Sequence, residues 1–328
     1  MLNRINKHNC LLFSTLLLAL LALLHSGARA SEEIVLKPVK VSPHVWYFQG
    51  EAGMASSANK GFMSNAGFVT TNNGVVVFDA LATPALGSAM LKAIATVTSQ
   101  PVVRVIISHF HADHFYGLQA LKDKGAEVWA HEAGRKSLSD PSSQDRLAQR
   151  RADLAPWVNE ATRLVPADRW LSFGVRKAIA FEQGGMHFQV IDSSGAHSSE
   201  DVMLFVEDDG VLFAGDLFFT GRIPFVGNAD SKAWLEALER MAALAPKVAI
   251  PGHGAASQHP QDDMRLTQDY LVFLRQKMND AVSELTPFEE AYRKTDWSVF
   301  EKIPAFQQAN RLNAYGTFLL MEKESLSR

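Results

Sequence analysis

The sequence predicts an α/β protein, an αββα sandwich in which two mixed β-sheets face one another beneath outer helices, followed by a helical C-terminal extension. Three observations predict it. Apolar, β-branched runs alternate with stretches of helical periodicity. The alternation occurs in two successive halves, each with strands followed by helices. Beyond His259 the pattern is mainly helical. At 328 residues, 47% hydrophobic and 20% charged, the chain is long enough to bury a large core.

The first thirty residues read as a signal peptide. Arg4 and Lys7 form a basic n-region, Leu11 to Leu24 is apolar apart from Ser14, and Ala28-Arg29-Ala30 is an A-x-A site. Cleavage is expected after Ala30, with export to a periplasm or the medium. The apolar run is short against the roughly 20 residues that cross a bilayer, so no stable membrane insertion is expected after cleavage. The lone Cys10 leaves with that segment, which removes disulfides, thiolate metal sites and cysteine nucleophiles from the mature chain. Without Arg4, Lys7 and Arg29, 29 basic residues face 35 acidic ones, a balance of −6. With no long basic block, nucleic acid is not an expected partner.

Val39 to Phe48 reads as a strand bent at Pro43, and Asn65 to Thr71 with Gly74 to Phe78 as a hairpin through the Asn72-Asn73-Gly74 turn. Helical periodicity over Pro84 to Val97 precedes the β-branched run Val102 to Ile107. A helix over Phe115 to Lys124, stopped by Gly125, then leads to a short strand at Glu127 to Ala130. Residues 131–173 turn polar and read as a helical insertion, with Arg146, Arg150, Arg151 and Arg163 on a solvated face. Strands return at His187 to Ile191, Val202 to Val206 and Gly210 to Ala214. Trp234 to Leu244 is an amphipathic helix and Lys247 to Ile250 a buried strand. This places the main domain at 31–258 and a helical extension, packed on it, at 259–328, with helical patterns around Tyr270 to Leu274 and Pro304 to Leu320.

The strongest local signal is Ser108-His109-Phe110-His111-Ala112-Asp113-His114, where an apolar strand ends and a helix begins. Alternation along extended backbone points His109 and His111 the same way, and Asp113 and His114 follow as the chain turns. His197, in Gly195-Ala196-His197-Ser198-Ser199-Glu200-Asp201, Asp216 at the close of Val211 to Asp216, and His253 between Gly252 and Gly254 sit at later strand ends. Each alone is unremarkable in a loop. Five His and two Asp together exceed what one tetrahedral zinc uses, so two metals are implied, and the donor set also permits iron or manganese.

With these residues in place the chain resembles the metallo-β-lactamase-fold hydrolase superfamily, whose hallmark is H-x-H-x-D-H followed by a distal His, a bridging Asp and a final His. The resemblance covers roughly Val39 to Gly254, including the Ser64 to Val69 hairpin and Val77-Phe78-Asp79. It implies that His109, His111 and His197 bind a first zinc, Asp113, His114 and His253 a second, and that Asp216 bridges them. Gly215 to Phe218 and Gly221 to Phe225 are most similar to the periplasmic glyoxalase II-like and SoxH-like branch, including quinoprotein relay system zinc metallohydrolases. The best-known β-lactamases carry a Cys where Asp216 stands or otherwise lack it, so that activity is disfavoured.

The resemblance implies a hydrolase in which a metal-bridging hydroxide attacks a thioester, lactone, ester or amide carbonyl of a small-molecule substrate, with Asp113 as catalytic residue orienting it. Two alternatives stand beside it. One is a non-haem iron enzyme similar to persulfide dioxygenases, and the other a non-catalytic, metal-stabilised periplasmic partner of a quinoprotein redox system. Substrate contacts are expected from Arg222, Asn228 and Met54, the last within Gly50 to Gly61, which reads as either a flap or a plain loop. Asp79 is expected to hold a loop by hydrogen bonds.

Overall fold

The computed structural model describes residues 33–175 and 177–327. The signal-peptide segment 1–30, with its cleavage site, lies outside the described residues. The elements below all belong to one compact unit, Leu36–Arg328. No helix among the described residues is long and apolar enough to cross a membrane.

The architecture is the expected sandwich. One sheet has seven strands in sequence order: β1 (Val39–Lys40), β2 (Val45–Phe48), β3 (Ala66–Thr71), β4 (Gly74–Phe78), β5 (Val102–Ile106), β6 (Glu127–His131) and β7 (Arg169–Leu171). Its first four strands pair antiparallel and the rest parallel. The second sheet runs β12 (Val248–His253), β11 (Val211–Phe219), β10 (Val202–Val206), β9 (Met186–Asp192), β8 (Ala178–Gln183), antiparallel except for β11 with β12. Side-chain alternation decides what faces what. Val76, Phe78 and Ile106 meet Leu204, Phe213 and Ile250 between the sheets, whereas Met203, Leu212 and Ala214 point outward. Both faces of the second sheet are covered, which is why β10 and β11 read as continuous apolar runs.

Helices α1 (Pro84–Ala95), α2 (Ala112–Phe115), α3 (Leu118–Lys122), α4 (Gly134–Ser139) and α5 (Pro141–Asp153) accompany the first sheet. Thr83 caps α1 by accepting from Leu86 N, and Asp140 caps α5 from Ser142 N, each with Pro in the first turn. The outer face of the second sheet buries α6 (Ser231–Ala243), α7 (Pro260–Ser283), α8 (Phe288–Lys294) and α9 (Phe306–Leu326). Trp234, Tyr270, Leu274 and Phe306 join one apolar cluster with Met203 and Leu212, so the C-terminal helices share a core with the sandwich.

Four local readings are corrected. The single helix expected at Phe115 to Lys124 is two short helices beginning at Ala112 and broken at Tyr116-Gly117. Gly117 there packs so closely on Ala80 that an added Cβ would lie 1.9 Å from its carbonyl oxygen. The 131–173 segment is helical only to Asp153, and its end supplies β7, which pairs with β6. Three residues with a half-exposed edge are too few to show a period. The edge strand β8, six residues with no fully buried side chain, and the seven-residue α8 also escape pattern reading. Finally, Asp216 is not at a strand end, because β11 continues to Phe219.

Candidate metal centre

The centre forms where loops at one rim of both sheets converge. His109 and His111 lie between β5 and α2, and Asp113 and His114 lie on α2. His197 lies between β9 and β10, and His253 ends β12. Asp216 reaches the same point by a bulge: Gly215, at φ 54°, shifts the β11–β12 register, and the next side chain turns into the site. Gly252 across from it makes the room. A Cβ there would lie 2.0 Å from Asp216 Oδ1.

The structure brings all seven residues together in two groups. His109 Nε2 is 2.9 Å from His111 Nδ1, and His197 Nε2 is 3.0 Å from that same nitrogen. In the second group His253 Nε2 is 3.3 Å and His114 Nε2 3.5 Å from Asp113 Oδ2. Asp216 belongs to both. Its Oδ2 is 3.5 Å from His197 Nε2, while its Oδ1 is 3.1 Å from His114 Nε2 and 3.3 Å from His253 Nε2.

The remaining ring nitrogens are largely fixed from behind, as metal-binding imidazoles require. His114 Nδ1 meets Asp79 Oδ2 at 2.8 Å, His109 Nδ1 meets Ser108 Oγ at 2.9 Å, and His253 Nδ1 donates to Met63 O at 2.8 Å. Asp79 therefore does more than hold a loop. It also accepts from Ser108 N at 2.7 Å and Ser108 Oγ at 2.8 Å, so one buried carboxylate steadies a histidine in each group. His197 instead packs edge-on against Trp234, and His253 stacks on Phe219. Glu200, unassigned in the sequence, accepts from Phe110 N between the first two histidines and from Ser137 Oγ.

Electrostatics prepares these groups for cations. Burial drives the His109 imidazole well below its usual range and His197 down to about 3, leaving neutral rings with free lone pairs. Burial opposes ionisation of Asp216, but the charges of His253 and His114 outweigh it and hold the carboxyl well down. His253 is the converse, lowered by burial yet raised to about 9 by Asp216 and Asp113. No Lys or Arg forms an ion pair with Asp113 or Asp216 among the described residues. His114 Nε2 and Asp216 Oδ1, both buried, lack a well-aligned hydrogen-bond partner. Buried imidazole and carboxylate donors without a Lys or Arg counter-ion among the described residues, together with these two orphaned atoms, fit two divalent cations, and the donor atoms of each group lie within 4.8 Å of one another.

Two clefts flank the centre, and they divide the expected substrate contacts. A small one of about 190 Å³ beside His253 holds Arg222 and Met54. A larger one of about 710 Å³ beside His111 and His197 holds Asn228. Gly50 to Gly61 forms no strand and is pinned at its tip, where Ser57 Oγ donates to Ala155 O and Trp157 Nε1 to Ser57 O. Sequence reasoning missed the aromatic and aliphatic wall of the larger cleft, which comes partly from α9.

The fold and the donor set define a metal-dependent hydrolase. The family model of the Metallo-beta-lactamase superfamily matches residues 59–253, and the chain belongs to that superfamily. A Metallo-beta-lactamase type 2 of Bacteroides fragilis is 24% identical over 196 residues, 58% of this chain and 69% of its own. A Linear primary-alkylsulfatase of Pseudomonas sp. is 20% identical over 215 residues, 54% of this chain and 39% of its own. Among solved structures, the Pseudomonas sec-alkylsulfatase Pisa1 superimposes with a TM-score of 0.65 at 16% identity, covering 87% of this chain and 50% of that one. A metallo-beta-lactamase from Pontibacter korlensis gives 0.56 at 22% identity, covering 72% and 97%.

Proposed function

We propose that the protein is an exported, dinuclear zinc-dependent hydrolase of a small-molecule thioester, lactone, ester or amide, of the periplasmic glyoxalase II-like kind. One observation carries the reading: Asp216 turns one carboxylate oxygen to each of two donor groups. A bound pair of divalent ions supplies hydroxide at neutral pH and positive charge for a developing oxyanion. His109, His111 and His197 would hold one ion, Asp113, His114 and His253 the other, with Asp216 shared. Asp113, whose side chain is 19% exposed, would orient the nucleophile. With Asp216 in place of a Cys ligand, β-lactam hydrolysis is not the assigned reaction.

The test is elemental analysis of the protein purified without added metal, then turnover of a panel of thioesters, lactones, esters, β-lactams and a secondary alkyl sulfate. Close to two zinc per chain with chelator-sensitive hydrolysis of a carbonyl substrate is expected. About one iron per chain with oxygen consumption would replace this reading by the dioxygenase one.

Arg222 supports an anionic substrate group. It is 8% exposed, has no carboxylate partner among the described residues, and its polar contact is Nη1 to Gly53 O at 3.4 Å. Its Nε is buried without a partner. Burial depresses the guanidinium pKa, and the nearby charges of Asp216 and Asp113 only partly offset this. Arg222→Met is expected to raise KM for a carboxylate-bearing substrate about 10- to 100-fold, the worth of one charge-assisted bond. The melting temperature should hold or rise, since a buried unpaired cation is removed. An unchanged KM would exclude Arg222 from substrate binding.

A further inference from the structure

The larger cleft has two unlike walls. On one side stand Lys136 of α4 and Ser142 and Arg146 of α5. On the other, Phe225 and Val226 from the loop before α6 meet Leu312 and Tyr315 of α9, with Phe110 beside His111. Phe225, Leu312 and Tyr315 are 40%, 55% and 45% exposed. Scattered exposed hydrophobics are ordinary, but three large ones lining one concavity are not.

This apolar wall is built rigidly. Asn313, fully buried, accepts from Val226 N at 2.8 Å and Gly227 N at 3.2 Å through Oδ1, and its Nδ2 donates to Pro224 O at 2.8 Å. Gly316 lets α9 press onto the same loop, where a Cβ would lie 1.8 Å from Gly227 O. Leu312, Tyr315 and Gly316, spaced three and four apart, share one face of α9. The wall keeps its exposure in a preorganised form, and the volume of about 710 Å³ falls in the roughly 300–1,000 Å³ range of small-molecule sites.

We propose that this cleft receives an apolar acyl or alkyl group of the substrate, laid along Phe225, Leu312 and Tyr315, with the scissile centre at the His/Asp cluster. The inference rests on the hydrolase reading above. Continuity identifies the occupant: His111 and His197 also line the cleft, so whatever fills it lies against the metal-ligand cluster. A single chain on the apolar wall leaves Lys136 and Arg146 solvated opposite.

The test uses the metal-loaded protein with 4-nitrophenyl butanoate and octanoate, alongside calorimetric binding of 1-octanol. Four added methylenes, about half covered, should raise kcat/KM about 15-fold. In the double variant Leu312→Ser, Tyr315→Ser the ratio should fall below about threefold, and octanol should bind about tenfold more weakly. No turnover of either ester, with octanol binding lost only in the variant, keeps the cleft assignment and rejects the hydrolase reading. Butanoate turnover without chain-length dependence, and octanol binding absent or equal in both proteins, overturns the cleft assignment alone. Self-association abolished by the double substitution, with no chain-length dependence, also overturns it and makes the wall a contact between copies.

Discussion

Asp216→Asn is expected to lower turnover about 10³-fold or more, several kcal/mol of lost charge stabilisation, and to strip at least one metal from the purified protein. The amide keeps the shape of the carboxylate but not its charge, and it turns an NH2 group toward one of the two donor groups. Oδ2 faces His197 at 3.5 Å and Oδ1 faces His114 at 3.1 Å and His253 at 3.3 Å, so either amide orientation removes an acceptor from one group. Asp113 alone would then neutralise two divalent ions. The metal-free chain should melt lower than the parent, because the lost carboxylate offsets the buried charges of His114 and His253, which the amide leaves uncompensated. Elemental analysis, steady-state kinetics and a thermal melt of the stripped protein check the three parts. Full metal content with parental turnover would refute the bridging role.

Asp79→Asn is expected to weaken metal binding about 10- to 100-fold without touching a ligand. Asp79 is buried at φ 62°, a conformation Asn tolerates, so the backbone should persist. What changes is polarity. The carboxylate accepts from Ser108 N, Ser108 Oγ and His114 Nδ1 at once, and an amide must turn a donor toward at least one of them. His114 loses its fixed tautomer, and His109 loses support through Ser108. Asp79→Ala leaves those groups unpaired and should cost about 2–4 kcal/mol of stability in addition. Chelator competition and chemical denaturation separate the two effects. Parental affinity in both variants would reduce Asp79 to a loop anchor.

The motif from His109 to His114 was legible because its residues are adjacent, and local backbone geometry alone brings alternate side chains to one side. His197, Asp216 and His253 could be found only against that motif, since a lone loop His carries no distinguishing signal. Asp79 showed only as an acid at a strand end. Its link to His114 spans 35 positions and depends on how β4 and β5 pair.

The sequence by itself determined the alternation of strands and helices, the two-sheet sandwich and the H-x-H-x-D-H cluster, all of which arise from short-range periodicity. Only the tertiary structure decided the rest. The Gly215 bulge carries Asp216 inward from the middle of β11, β7 and β8 become strands by pairing at sheet edges, and α9 returns to clamp the loop that bears Arg222 and Phe225. Leu312 and Tyr315 in isolation are two apolar residues on a helix. What makes them the wall of a cleft is Asn313 and Gly316 docking against Val226 and Gly227, nearly ninety residues away. Burial and close packing reward such contacts only once the chain has folded, so no local pattern announces them.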